Sequence, residues 1–599
     1  MSSSHSRYST GKVVWWALGL ALVLMLPSLW VGLQIDDYFH WGLVNQRSDV
    51  LLSHSPLSPF GLFSFLDGDT ARVRQLMDLG LLPWWTNPQV EYAFWRPLTE
   101  LTHWLDYALW PRHPMLMHLH NLFYFALMLW AGFRLFHSIQ GENKAWVWAV
   151  FLFALSYSHG VPAGWLANRN SVLAVLFMAL ALAAHHRWRS AIGDGGVVPH
   201  RVAVLSCVWF GLSLLCGEVA VSGGAYIFAY AFFYERGPWL ARIGSLIPCG
   251  MVGVLWLGLR GWLGYGASGS GHYLDPLQTP WLFVQALFQR GVDLLAGLVW
   301  VIPPELATAL PDQRRWWVVG MCLLLLYLIM PLVRRDRRAR FWLVGALLCL
   351  VPVASTIPHS RLLIAASLGF AGLLGLVFAS WREGSLMPLD SGSGFRRKLT
   401  SVVLGVLVVL QLGLSALLLP VEAFSMRLAG DSLVNSGAKS WQLQQLAAST
   451  TPVLINPPLS SAGGYINGVR DYLDLAVTPK TWLLVSGVRE LTVQTVDEHT
   501  LEIKAPKGLY DPVQEGLLRG PQAPFQPGDK VSLSGLIVTV VAEEGGVPVH
   551  ARFQFEQGLN SDAYAFSHWH GGEVAPCNLP SPGQSIKLKL NSDRCANVE

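Results

Sequence analysis

Long apolar runs separated by short basic turns fill the first 419 residues, and the remainder alternates apolar with polar positions. The first run, Val13 to Leu33, is about 20 residues long, and at ~1.5 Å rise per residue it crosses a ~30 Å hydrocarbon core. Further runs at 115–136, 145–157, 171–185, 202–215, 219–233, 243–263, 316–333, 341–357, 362–381 and 402–419 predict about eleven transmembrane helices in all. The run 281–301 contains Arg290 and Asp293, each costing ~2.5–3.5 kcal/mol at a bilayer centre. Because Arg334 to Arg340 must lie inside, the run before them travels inward, and 281–301 is expected to be interfacial or re-entrant. Arg7 and Lys12 place the N-terminus in the cytoplasm, and an odd number of spans places the C-terminus outside.

From about Pro420 the pattern changes to period two. Trp482–Val485, Glu490–Val496, Thr500–Ile503, Lys530–Val541 and Ala551–Phe555 read as strands, with turns at Pro527-Gly528-Asp529 and Glu544-Gly545-Gly546. The expected division is a transmembrane domain, 1–419, whose first periplasmic loop is 34–114, and a soluble β-rich periplasmic domain, 420–599. The last two cysteines, Cys577 and Cys595, fall in this domain and are expected to pair in an oxidising compartment. Closing that ring contributes ~3 kcal/mol by loop entropy.

Composition supports a membrane protein. The chain is 52% hydrophobic and 13% charged, against ~25% charged in soluble domains. A net charge of +4, with arginines in short loops, reports topology and gives no sign of a nucleic-acid partner. The other five cysteines lie in apolar segments and read as small packing residues. The expected location is a bacterial inner membrane.

Candidate chemistry gathers in the predicted outer loops. Asp36, Asp37 and His40 follow the first run; Arg96, Asp106, His113, His118, His120 and Asn121 lie near the second. His159, Trp165, Asn168 and Arg169 form the next loop, Glu218 sits at a helix end, and His359 with Arg361 opens another helix. Convergence of ionisable groups on one face marks a site. Structural roles compete at each position. The acidic pair reads equally as a solvated stop signal, Arg96-Pro97 as a headgroup anchor and helix start, and Glu218 as an arginine's partner. His118 and His120, two residues apart, cannot share a helix face, so they are no local metal pair and serve equally as interhelical hydrogen-bonders.

Taken in order, Asp36-Asp37, Trp95-Arg96-Pro97-Leu98-Thr99, Leu105-Asp106-Tyr107, His118 to Asn121, Phe153 to Arg169, Leu214 to Ala220 and Arg361 to Gly369 resemble the C-type glycosyltransferase superfamily (GT-C). Protein O-mannosyltransferases and the bacterial relatives of the TPR-bearing O-mannosyltransferases are the nearest in pattern. The resemblance covers roughly residues 13 to 380. It implies a GT-C-like polytopic α-helical enzyme that moves a sugar, with inversion, from a polyprenyl-phosphate donor to a protein, lipid or glycan acceptor. It also implies an acid of the first loop acting at the acceptor or on a metal. Two positions depart: Val161 stands where the family has an acid, and Gly217 where it has a lysine. These keep a non-catalytic relative in view, beside a transporter of lipid-linked saccharides.

The chemistry assigns expected roles. An oxocarbenium-like transition state leaves charge on the departing phosphate, a task for Arg96, Arg169 or Arg361, with His118, His159 and Glu218 as substrate contacts. A carboxylate must take the acceptor's proton, and Asp36 is the expected base, with Asp37 beside it. Asp36, Asp37 and His40 are also the candidate ligands for Mg²⁺ or Mn²⁺.

Overall fold

The computed structural model describes residues 4–46, 61–193, 200–386, 394–589 and 595. The chain forms two compact units. The first comprises Met1–Gly32, Trp95–Leu263 and Asp275–Met426; the second comprises Leu33–Phe94, Gly264–Leu274 and Arg427–Glu599. The second unit therefore draws in loop segments that a linear division at 419/420 leaves with the helices.

The first unit is helical. Among the described residues, eight helices are long and apolar enough to cross a membrane, or nine if the pair Lys144–Ala154 and Tyr157–Gly164, bent by 45°, counts as one. This is an integral membrane protein, although the count is lower than the eleven expected. His200–Leu214 has 15 residues, Arg337–Val353 has 17, and Val221–Ala229 has 9 before a π turn at Tyr230–Tyr234. One segment differs in the opposite sense. Pro280–Trp300, expected to be interfacial or re-entrant, is a continuous 21-residue helix that meets the same length and hydropathy test. Its charges are partnered: Asp293 pairs with Arg314 and Arg315, each at 3.0 Å, and Arg290 donates to the Ala354 carbonyl at 3.2 Å.

Burial separates inner from outer helices. The apolar window of Ser360–Arg382 is 94% buried and that of Leu166–Ile192 is 83%, against 17% for Trp239–Trp262. Small residues let the inner helices touch. A Cβ on Gly375 would lie 2.4 Å from the Ala145 carbonyl, and one on Gly164 would lie 2.3 Å from that of Ala423. Outer helices present Trp15, Trp16, Trp316 and Trp317 outward, as lipid-facing surfaces do.

In the second unit, six antiparallel strands run in the order Ser585–Lys589, Glu490–Asp497, Thr500–Lys504, Val547–Phe555, Leu536–Glu544, Lys530–Leu533. The expected strand 530–541 is a hairpin, because Gly535 turns the chain at φ 95°. A four-stranded sheet places Thr451–Ile455 parallel to both Tyr564–His570 and Trp482–Leu483. Helix Ser461–Tyr472 makes the crossover between the two parallel strands that follow one another in sequence. Residues of the first loop complete the core: Trp84 donates to the Leu484 carbonyl at 3.0 Å, and Trp85 stacks on Tyr510 at 5.2 Å. Cys577 and Cys595 form the expected disulfide.

Candidate functional site

Within the first unit, Pro97 opens the helix Pro97–Leu109, with Arg96 as its N-cap residue. The Leu98 N–H donates to the Leu215 carbonyl at 3.1 Å and the Thr99 hydroxyl to that of Cys216 at 2.8 Å. These bonds fix the segment that carries Glu218, whose carboxylate accepts from Arg96 Nε at 2.9 Å. Two turns along the helix, Asp106 accepts from Arg169 through Oδ2 and meets His120 Nδ1 through Oδ1 at 2.6 Å.

Three residues expected to meet substrate make contacts within the helical unit. Arg169 is fully buried and donates to Asp106, to the Thr102 carbonyl at 3.3 Å and to the Met117 carbonyl at 3.2 Å, so its cation is already compensated. His118 is buried, and its Nε2 bonds the Gly32 carbonyl at 3.0 Å. His159 is buried with its ring edge-on to Phe153 at 4.8 Å and Nε2 beside the Ser367 hydroxyl at 3.3 Å.

Arg361 has a different character. Its guanidinium lies over the Trp165 ring at 5.5 Å and donates no hydrogen bond among the described residues, although its Nε is buried. His359 caps this turn, accepting the Arg361 N–H on Nδ1 at 3.3 Å. Burial, then the charge of Arg361, pushes the imidazole down to about 3, so it stays a neutral cap and its 3.6 Å approach to Glu305 is no ion pair. Between them, Ser360 Oγ lies 2.9 Å from Glu305 and 3.0 Å from Glu422. The single hydroxyl proton can be donated to only one of the two carboxylates at a time. Neither glutamate was singled out from the sequence. Glu305 follows Pro303-Pro304 in an interhelical loop, and Glu422 lies beyond the compositional change at Pro420, in a helix that continues through it.

The two departures from the family pattern are accommodated by packing. Val161 is buried among helices. A Cβ at Gly217 would lie 2.8 Å from Asn170 Nδ2, so a longer side chain there requires Asn170 to move.

In the second unit, the first-loop acids part company. Ile35 takes a positive φ of 49°, rare for a branched residue and a mark of local strain. Helix Asp36–Val44 starts next. The buried Asp37 carboxylate accepts the Gln34 N–H at 2.9 Å, while the Asp37 N–H donates to the Gln34 carbonyl at 2.9 Å. The Asp37 side chain thus satisfies a backbone N–H just before the helix, in the sense of one half of a capping box. Asp36 remains half-buried, and its Oδ1 accepts from the Tyr465 hydroxyl. His40 is buried with its ring edge-on to Phe63 at 4.8 Å. The expected metal set does not converge. Among the described residues no group of three or more His, Cys, Asp or Glu side chains could hold a metal ion.

No protein-family model and no curated protein matches the sequence. Solved structures similar to the chain include the following three. The Archaeoglobus fulgidus oligosaccharyltransferase tethered to an acceptor peptide has 12% identity and a TM-score of 0.38 over 78% of this chain and 63% of that one. AglB from the same organism, in complex with an inhibitory peptide and a dolichol-phosphate, has 13% identity and a TM-score of 0.38 over 70% and 56%. ArnT from Cupriavidus metallidurans, bound to undecaprenyl phosphate, has 14% identity and a TM-score of 0.36 over 91% and 98%. The chain spans less than two thirds of the length of the two archaeal chains. Likeness this loose carries no argument about the reaction.

Proposed function

We propose that this protein is a membrane glycosyltransferase that moves a sugar from a polyprenyl-phosphate donor to a protein, lipid or glycan acceptor. It acts in the bacterial inner membrane, with residues 420–599 on the periplasmic side. The observation that carries the reading is Arg361, a guanidinium over the Trp165 ring with no acceptor among the described residues, in a helical unit suited to a lipid bilayer. A planar fork on an aromatic face matches the oxygens of a phosphate monoester or diester. As the sugar departs with oxocarbenium character, the phosphate gains charge, and Arg361 stabilises it. Arg96, oriented by Glu218, is the supporting cation. Asp36 takes the proton of the acceptor hydroxyl or amine, and attack opposite the phosphate inverts the anomeric carbon. Mg²⁺ or Mn²⁺ is assigned no step, because Asp37 and His40 are committed to capping and packing.

Lipid-phosphate binding tests the reading. With detergent-solubilised protein, Arg361→Ala is expected to weaken the affinity for a polyprenyl phosphate by about 10- to 100-fold, as loss of a charged hydrogen bond does. Arg361→Lys should fall between the two, since an ammonium keeps the charge and loses the fork. Equal affinity in all three proteins would contradict the assignment.

A further inference from the structure

The second unit brings a residue of the C-terminal region to the first-loop acid. Tyr465 lies on helix Ser461–Tyr472, the crossover between the parallel strands Thr451–Ile455 and Trp482–Leu483. Helix Asp36–Val44 is clamped to it. Tyr38 meets Tyr472 edge-on at 5.6 Å, Trp41 stands at 89° to Tyr472 at 5.1 Å, and a Cβ on Gly468 would touch the Tyr38 Cβ at 3.4 Å. A second tie holds the turn before the acid: Asn435 Nδ2 donates to Gln34 Oε1 at 2.9 Å and to Asp431 Oδ1 at 3.0 Å. The position of Asp36 is thus set from two separate elements of the C-terminal chain.

We infer that Tyr465 is a positioning residue for sugar transfer: its hydroxyl, donated to Oδ1 of Asp36, orients the acceptor-deprotonating carboxylate and favours its ionised form. This rests on the reading of Asp36 as the base. It makes the C-terminal region part of the reaction's machinery, beyond any selection of the acceptor.

Asp37 on the same helix and Tyr92 from the strand Glu91–Ala93 act, with Asp36, on the Tyr465 hydroxyl. Burial, then the charge of Asp36, holds the Tyr465 phenol well above the ordinary tyrosine value. Burial and the same carboxylate raise Tyr92 as well. Both phenols therefore stay protonated, and Tyr465 remains a donor at any pH where transfer is measured. Asp37 is held by the Gln34 N–H.

The test is the pH–rate profile of the full-length protein with Tyr465→Phe, which removes one oxygen and leaves the ring. Without the donor the Asp36 carboxylate protonates more readily, so the acidic limb is expected to move to higher pH, with the rate loss growing as pH falls. A thermal melt of the solubilised variant checks that the fold is retained. An acidic limb that stays in place, whatever happens to the maximal rate, overturns the inference. Asp36→Asn separates the two layers. If that variant transfers sugar normally, the base assignment fails and takes this inference with it. If it is inactive while the Tyr465→Phe limb is unmoved, only the role of Tyr465 fails.

Discussion

Adjacent aspartates at the end of one apolar helix do different work because their side chains leave the chain in different directions. Asp37 points back to the turn and accepts the Gln34 N–H; Asp36 points to Tyr465. Asp37→Ala is expected to lower stability by about 0.5–2 kcal/mol, the usual value of a lost N-terminal cap, and to leave the shape of the pH–rate profile intact. A thermal melt beside a rate measurement checks both; a displaced profile would return Asp37 to the chemistry. The sequence shows the pair and its chemical potential, but not which member is used. That choice depends on Ile35 adopting a positive φ and on Tyr465, more than 400 residues away in sequence. The same limit applies to Arg169 and Arg361. Each follows an apolar interval with a polar opening, and only tertiary partners show that Asp106 neutralises the first while Trp165 supports the second.

Helices and strands were legible where one periodicity runs long enough to set the element. The alternating strands Glu490–Asp497 and Thr500–Lys504 appear within a residue or two of the expected positions. Runs interrupted by glycine or by a polar pair look like full spans, yet fold as shorter helices joined by 3-10 turns, as at Tyr157–His159 and Glu218–Ala220. For Pro280–Trp300 the penalty for Asp293 presumes isolation, whereas the next helix supplies two arginines. In the strand Tyr564–His570, burial and then neighbouring His570 push His568 down to about 4. An unfolded histidine titrates near ~6.5, so between these values the unfolded chain binds more protons than the folded one. The second unit is therefore expected to hold its full stability above about pH 6.5 and to lose it progressively as pH falls toward 4. His568→Leu should flatten that decline in melts recorded from pH 7 to 4.5, and an unchanged slope would show that other groups govern it.

The proposed roles fall on different units: Arg361 over Trp165 belongs to the helical one, and Asp36, bonded by Tyr465, to the one built on residues 33–94, 264–274 and 427–599. The interleaving of three chain segments into the second unit could not be read from composition, because Trp84 and Trp85 look like membrane-interface anchors until Leu484 and Tyr510 are seen beside them. Sugar, acceptor and turnover are open to one direct experiment. Membranes containing the wild-type protein or Asp36→Asn, at equal levels, are incubated with a radiolabelled polyprenyl-phosphate sugar and an envelope extract as acceptor. Label is expected to leave the lipid for the acceptor fraction with wild type, at a rate roughly 10²–10⁴-fold above the variant's. Equal transfer by both proteins, or movement of the labelled lipid across the membrane with no transfer by either, would contradict the account.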